Sequence, residues 1–274
     1  MVQEFRYVAP TSLEELLDYL AEQAREGKRA VVLNGGTDLL VSIRTGLETP
    51  DSVIDMKKVD ELNALTFDPG EGLSIGATVT VNQLIDSEDV RRHYEVLHVA
   101  AEQLADFQLR NRATVVGNLV TASPCGDTGT PLLTLGAAMV LRSKSGRRTI
   151  PLGEFITGVK RTVIKPDEIV ERVVVPAENA DGLGRYKKLK RIKGHDLGLV
   201  MVAMFVKDGV MRFGIGSAAP TPVVLKDMKV GTDLETVRKV AQEAISPIDD
   251  VRASADYRRA IVDSYLKQLL QEVA

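Results

Sequence analysis

The sequence predicts an α+β fold of two domains. The first 178 residues alternate between apolar residues at helical spacing and short β-prone runs. A small, polar, glycine-rich segment at 179–184 separates them from a region of three β-prone runs followed by two helical patterns. At 274 residues, with 44% hydrophobic and 27% charged side chains, the chain is long enough to give each part a core.

The first predicted elements are a capped helix and a buried strand. Ser12 and Glu15 have the spacing of a capping box, and leucines follow on one helical face. The strand Ala30–Leu33 runs directly into the sequence Asn-Gly-Gly-Thr-Asp at 34–38. Two glycines allow a sharp turn whose amides point together at an anion. A plain tight turn explains them equally well, because the spacing is neither GxGxxG nor a P-loop.

The region from residue 52 to residue 105 predicts two strands and two helices. These are strands 52–56 and 73–77, a short helix capped by Thr80 and Gln83, and a longer helix over 90–105. His93 and His98 lie five positions apart on the longer helix, so they do not share a face as metal ligands would. We interpret both as solvated or core histidines.

The remaining elements give the second half of the fold. The pattern predicts a hairpin of 139–142 with 147–150, a strand over 169–175, strands 186–192, 199–206 and 210–217, and helices 234–245 and 254–270. Asp208 and Gly209 form the expected two-residue turn between the last two strands. The sequence therefore predicts a small C-terminal domain with a three-stranded antiparallel sheet and helices.

Composition excludes several classes of function. The formal net charge of −3 argues against a nucleic-acid partner. A single cysteine, Cys125, excludes an internal disulfide framework and a Cys-only metal or iron–sulfur site, and three scattered histidines make a metal site unexpected. No run of 18 apolar residues predicts a membrane span, and the N-terminus has no apolar signal region. We therefore expect a cytoplasmic protein with no bound metal.

The segment 108–136 has the composition of a cofactor site. Two β-branched valines lead into Gly117 and Asn118, which predicts a strand that reaches a turn at a point of close ligand approach. Thr121 and Ser123 would share a face if the chain stayed extended. Thr130 and Pro131 then predict a helix start, with Gly136 as its C-cap.

Asp127 precedes this helix and allows two interpretations. The favoured one is an N-terminal cap, and the other is an acceptor for hydroxyl groups of a nucleotide. Ser123, His195 and Asp127 do not predict a catalytic triad, because no GxSxG elbow is present. Backbone-ligand features without acid–base groups indicate that a bound anionic cofactor carries the chemistry, held between the two glycine-containing turns. The residues alone do not name that cofactor.

Several motifs, taken in order, resemble a known family. They are Leu-Asn-Gly-Gly-Thr-Asp-Leu at 33–39, Arg-Asn-Arg-Ala-Thr-Val-Val-Gly-Asn at 110–118, Thr-Ala-Ser-Pro-x-x-Asp at 121–127, Tyr-Lys-Lys-Leu-Lys-Arg at 186–191 with Asp-Leu at 196–197, and Asp-Val-Arg-Ala-Ser-Ala-x-Tyr-Arg-Arg at 250–259. Together they resemble the FAD-binding (medium) subunits of molybdenum hydroxylases, the xanthine dehydrogenase and aerobic carbon monoxide dehydrogenase family. The resemblance covers essentially the whole chain.

The resemblance implies a domain plan. It implies a vanillyl-alcohol-oxidase/PCMH-type FAD-binding domain over 1–178, with two α/β subdomains at about 1–57 and 58–178. A small α+β domain over 185–274 would follow it.

The resemblance also implies which residues bind FAD. The first glycine turn, 33–39, would hold the diphosphate, and Gly117, Asn118 and Thr121 would line the second half of the site. Asp127 would bind the nucleotide end, whereas Val170 and Lys188 would lie over the flavin. The full implied set is Leu33, Asn34, Gly35, Gly36, Thr37, Asp38, Leu39, Thr114, Gly117, Asn118, Val120, Thr121, Gly126, Asp127, Val170 and Lys188.

The function implied by the resemblance is electron transfer within a multi-subunit oxidoreductase. A molybdopterin large subunit would hydroxylate the substrate, and [2Fe–2S] clusters of a small subunit would pass electrons to FAD on this chain. The flavin would deliver them to NAD or a quinone-type acceptor. No side chain of this chain is assigned a catalytic role.

Val116 departs from the family pattern, which has glycine at this position. A β-branched residue adopts a positive φ only with difficulty and adds bulk beside a cofactor. We expect valine to be tolerated if its φ is negative. The alternatives are an assembly subunit with weakened or lost FAD binding, motivated by Val116, and a stand-alone FAD oxidoreductase.

Overall fold

The fold begins with a small parallel sheet. In the computed structural model, which describes residues 4–273, this region contains β1 (Arg6–Val8), α1 (Leu13–Arg25), β2 (Ala30–Leu33), α2 (Leu39–Arg44) and β3 (Ser52–Asp55). The strands lie in the order β1-β3-β2, all parallel. The Ser12 side chain accepts a hydrogen bond from the amide of Glu15, but the Glu15 carboxylate accepts from Thr11 rather than completing the capping box.

A five-stranded antiparallel sheet and a group of short helices follow. Their elements are β4 (Leu65–Asp68), β5 (Gly72–Gly76), α3 (Val81–Asp86), α4 (Glu88–His93), α5 (Glu95–Glu102), α6 (Phe107–Arg110), α7 (Val115–Val120), α8 (Gly129–Thr134), β6 (Ala138–Ser143), β7 (Gly146–Pro151), α9 (Leu152–Phe155), β8 (Ile156–Gly158), β9 (Arg161–Thr162) and β10 (Ile169–Pro176). The sheet order is β4-β5-β10-β6-β7, and β8 pairs with β9 apart from it. The predicted hairpin of β6 and β7 is confirmed.

The long helix expected over 90–105 is wrong, because Tyr94 divides it into α4 and α5. Tyr94 leaves helical geometry at φ −135° and ψ 54°, and its ring is 1% exposed. The ring packs edge-on against Phe67 at 5.9 Å, so burial of a large aromatic side chain compensates for the interrupted helix. His93 contacts Asp181 and His98 contacts Ile85, so the two histidines share no site.

The C-terminal region contains more strands than predicted. It consists of β11 (Leu183–Leu189), β12 (Val200–Lys207), β13 (Val210–Gly216), β14 (Val223–Val224), β15 (Met228–Lys229), α10 (Leu234–Ala244) and α11 (Ala255–Gln271). The first three strands and both helices match the prediction within a few residues. The Asp208-Gly209 turn is confirmed, since Lys207 pairs with Val210. The two-residue strands β14 and β15 were missed, because so short a run carries no alternating pattern.

The C-terminal sheet is covered on both faces. Alternate side chains of β12 point in opposite directions. Met201, Ala203 and Phe205 join the core of the preceding region, whereas Val200, Val202 and Met204 pack in a second core with α10 and α11.

The glycine-rich segment at 179–184 is therefore not a loose connection. A Cβ atom on Gly184 would lie 2.5 Å from the Val96 amide nitrogen, so glycine permits β11 to pack directly against α5. The two predicted domains, 1–178 and 185–274, meet across a shared apolar core.

Candidate functional site

One large cavity brings together most of the expected site residues. Its volume is about 830 Å³, at the upper end of the usual range for ligand sites. The lining includes these members of the predicted set: Asn34, Gly35, Gly36, Thr37, Asp38, Leu39, Thr114, Gly117, Asn118, Val120, Thr121, Gly126, Asp127 and Val170. Two members of the set, Leu33 and Lys188, are not part of this lining. Leu33 is 7% exposed in a small core, and the Lys188 side chain is fully buried.

The first glycine turn and the segment before α7 are in direct backbone contact. A Cβ atom on Gly35 would fall 1.9 Å from the carbonyl oxygen of Arg112, and Gly36 has a φ of +74°. Both positions therefore require glycine, one for close approach and one for conformation. The contact joins the two halves of the predicted site, which are far apart in sequence.

The strand predicted over 114–118 is wrong, because this segment is the helix α7. Thr114 is its N-cap, and the Thr114 hydroxyl accepts a hydrogen bond from the Gly117 amide at 3.0 Å. A side-chain cap satisfies an amide that the first turn leaves unpaired, and here it outweighs the β preference of two valines. Thr121 is the C-cap and Ala122 has a φ of +48°, so Thr121 and Ser123 do not alternate along a strand.

Val116 meets the condition under which we expected it to be tolerated. It lies inside α7 and is not among the residues of positive φ. Its side chain is 1% exposed and lines the inner part of the cavity. The backbone here thus places no requirement for glycine at position 116.

The interpretation of Asp127 as a helix cap is also wrong. The N-cap of α8 is Thr128, and the helix begins at Gly129, two residues before Pro131. The Oδ1 atom of Asp127 instead lies 2.5 Å from the Nζ atom of Lys188, which also donates to the Gln103 carbonyl at 3.0 Å. Burial raises the pKa of Asp127, and the Lys188 ammonium opposes that shift.

This contact joins two residues to which the resemblance assigned different parts of the cofactor. Asp127 and Lys188 touch, so a ligand group that contacts Asp127 also lies close to Lys188. The Lys188 side chain is fully buried, and its ion-pair partner Asp127 lines the cavity.

The structure gives Ser123, His195 and Asp127 separate partners. All three residues line the cavity. His195, however, pairs through Nδ1 with Asp106 at 3.4 Å, and the Ser123 hydroxyl accepts from the Cys125 amide at 3.3 Å. Ser123 and Cys125 are wall residues.

Contacts from the C-terminal region hold the loop that carries Ser123 and Cys125. The sequence did not predict these contacts. The Ser217 amide donates to the Pro124 carbonyl at 3.0 Å. Arg252 approaches the Cys125 sulfur at 3.6 Å and is itself held by Asp250. Together with Lys188, these contacts position the loop 123–127 from outside the cavity.

A further wall was also missed. The segment 160–168 contributes Lys160, Thr162, Lys165 and Glu168 to the lining of the cavity. Lys160 donates to Asp38 at 3.2 Å across 122 positions of sequence. No local pattern could have indicated this pairing.

Within residues 4–273, no group of three or more His, Cys, Asp or Glu side chains could hold a metal ion. No helix of that same range is long and apolar enough to cross a membrane.

The comparison with protein families identifies the first domain. A family model described as "FAD binding domain in molybdopterin dehydrogenase" matches residues 3–178. The chain belongs to this family.

Similar proteins cover the chain from end to end. It is 30% identical to the nicotinate dehydrogenase FAD-subunit of Eubacterium barkeri, over 99% of this chain and 97% of that protein. It is 30% identical to the carbon monoxide dehydrogenase medium chain of Hydrogenophaga pseudoflava, over 97% and 96%. A solved structure of the Hydrogenophaga pseudoflava enzyme lacking the Mo-pyranopterin moiety superposes with a TM-score of 0.89, at 27% identity, covering 100% of this chain and 98% of that chain.

These findings establish the fold and the cofactor. The chain has a PCMH-type FAD-binding domain and is an oxidoreductase subunit of the molybdenum hydroxylase class, with FAD as its cofactor. The cavity fits such a ligand. Its volume is adequate, glycine backbone lines one wall, and the buried Asn34 Oδ1 atom has no hydrogen-bond partner among residues 4–273.

Proposed function

We propose that this chain is the electron-transfer subunit of a molybdenum hydroxylase. It would take electrons from the [2Fe–2S] clusters of a small partner subunit, which receives them from a molybdopterin large subunit. It would pass them to an external acceptor, NAD or a quinone. The observation that carries the proposal is the single cavity in which the glycine turn 34–38 and the helix α7 meet.

We assign the diphosphate of FAD to the junction of these two segments. Backbone amides of Gly35, Gly36 and Thr37 would donate to it, with Leu33 packed beneath the turn as support. Thr114, Gly117, Asn118 and Thr121 would form the facing wall. The Asn118 Oδ1 atom accepts from both the amide and the hydroxyl of Thr128, so it fixes the loop that carries Gly126 and Asp127.

Asp127 would accept hydrogen bonds from hydroxyl groups of the cofactor. Burial raises the pKa of Asp127, and the Lys188 ammonium at 2.5 Å opposes that rise because it favours the ionised form. Val170, 3% exposed on β10, and Val120 would supply apolar contacts. When bound, FAD would supply the redox chemistry, and this chain would bind it, orient it and exclude water.

The proposal is tested by purifying the chain and measuring bound flavin. We expect a flavin absorption spectrum, FAD on extraction, and co-purification with an iron–sulfur protein and a molybdopterin protein from the native host. Colourless protein that does not bind added FAD would refute the proposal. Flavoprotein that purifies alone and oxidises small molecules directly would instead favour a stand-alone oxidoreductase.

The alternative of an assembly subunit without FAD rested on Val116. Val116 lies in a helix and does not have a positive φ, so the backbone gives no reason to expect lost FAD binding. If the alternative were correct, V116G would gain flavin binding that the natural chain lacks.

A further inference from the structure

Lys160 occupies a conformationally restricted position at the edge of the cavity. It lies at the turn between β8 and β9 with a φ of +57°, and its amide donates to the carbonyl of Ala122 at 2.9 Å. Ala122, which follows α7, has a φ of +48°. Two non-glycine residues in the left-handed region, joined by one hydrogen bond, store backbone strain of the kind found at functional sites.

The Lys160 side chain bridges the cavity to the other half of the site. Its Nζ atom lies 3.2 Å from the Oδ2 atom of Asp38, at the end of the first glycine turn. The side chains are 54% and 49% exposed, and such a half-exposed ion pair contributes little to folding stability. The pairing therefore calls for another explanation.

The charges around the cavity provide that explanation. Of the residues from 4 to 273, five carboxylates line it, and each is paired with a cation: Asp38 with Lys160, Glu48 with Arg29, Asp127 with Lys188, Glu168 with Arg148, and Asp196 with Arg191. Among these five cations, Lys160 alone also lines the cavity. It is thus the pairing cation that an anionic ligand can reach directly.

We propose that Lys160 is a cofactor-binding residue that neutralises Asp38 and contacts the FAD diphosphate. The proposal rests on the proposed function, because it needs the diphosphate at the Gly35–Gly36 turn. Without Lys160, the Asp38 carboxylate would face an anionic ligand and repel it. With Lys160 in place, one ammonium contacts both the Asp38 carboxylate and the diphosphate. It also links the segment 160–168 to the two glycine-containing segments.

The test compares FAD affinity across charge variants of the full chain by flavin fluorescence titration. We expect K160Q to weaken FAD binding about tenfold or more, as for loss of a charge-assisted hydrogen bond. K160R should retain most of the affinity, since it keeps the charge. K160Q/D38N should recover the part of the loss that comes from the uncompensated Asp38 carboxylate, and should not recover the part that comes from the lost contact to the diphosphate. The control is K144Q, which breaks a comparably exposed ion pair with Asp18, and its affinity should be unchanged.

Two measurements separate this role from a structural one. Thermal unfolding of the apo variants should stay close to that of the natural chain. K160G, which accommodates the positive φ but lacks the ammonium, should lose affinity as K160Q does.

FAD affinity of K160Q or K160G equal to that of the natural chain would overturn the inference. K160Q/D38N as weak as K160Q would overturn it as well. A natural chain that binds no FAD would overturn the proposed function and, with it, the role of Lys160.

Discussion

Substitution of Gly35 by alanine tests the junction on which the cavity depends. The new Cβ atom would lie 1.9 Å from the Arg112 carbonyl oxygen and 2.7 Å from its carbonyl carbon. Both contacts are to backbone, so no side-chain rotation relieves them. The turn must move about 1.5 Å away to restore an ordinary contact, which overpacks the junction at a cost of about 1–3 kcal/mol.

The displacement should also weaken FAD binding. Loss of one or two charge-assisted hydrogen bonds to the diphosphate, at about 1.5 kcal/mol each, corresponds to about a ten- to hundredfold lower affinity. Urea unfolding of the apo chain measures the first effect, and FAD titration measures the second. G153A is the matched control, because its Cβ atom meets only the Leu133 side chain at 3.4 Å. A G35A chain with the stability and FAD affinity of the natural protein would refute the reasoning.

Three further substitutions test other parts of the site. V116G should lower the free energy of unfolding by about 2 kcal/mol, because a buried helical valine is lost, and should leave FAD affinity within about threefold, measured by urea unfolding and titration. K188M should destabilise the chain by about 3 kcal/mol, because it leaves the buried Asp127 carboxylate unpaired, and K188M/D127N should regain part of that loss in urea unfolding. D250N should flatten the acid dependence of stability. Burial raises the pKa of Asp250, but hydrogen bonds from the amides of Arg252 and Ala253 and from the Arg252 guanidinium outweigh that rise and bring the pKa to about 2. In the natural chain the Asp250 carboxylate contributes about 1–2 kcal/mol to the free energy of unfolding above pH about 4, and this contribution is lost as pH falls toward about 2. Urea unfolding between pH 5 and pH 3 would detect the loss.

Each of these predictions has a contrary outcome. Higher FAD affinity in V116G would show that the valine obstructs the cofactor. Equal stability of K188M and the natural chain would show that the buried pair contributes nothing. Parallel pH profiles for D250N and the natural chain would show that Asp250 is not held in its charged form.

The C-terminal region was predictable because local and long-range preferences agree there. The alternating run of β12 buries one face against each core, and Asp208 and Gly209 adopt φ values of +50° and +76° that suit a two-residue hairpin. A pattern of period two and a turn signal thus specify the same hairpin.

The segment around α7 was mispredicted because two local signals compete. Val115 and Val116 favour a strand by propensity, which is a weak effect per residue. Thr114 favours a helix start by capping the Gly117 amide, and the cap is worth about 1 kcal/mol. The threonine three positions before the glycine was the signal that could have identified the helix.

The remaining site features depend on contacts between distant segments. Lys160 reaches Asp38 and Lys188 reaches Asp127 only because the fold brings segments that are far apart in sequence into contact. No periodicity or spacing rule encodes such a pair, so the sequence could supply residue types but not partners. The misassigned role of Asp127 follows from this, because its cap interpretation considered only its neighbours in sequence.

The most direct test of the central claim is a crystal structure of the chain grown with FAD. We predict FAD in the cavity of about 830 Å³, with its diphosphate within about 3 Å of the backbone amides of Gly35, Gly36 and Thr37. The facing wall should be α7, and the Lys160 ammonium should contact a diphosphate oxygen. FAD bound at another surface, or saturable FAD binding in solution with no ligand in this cavity, would contradict the account.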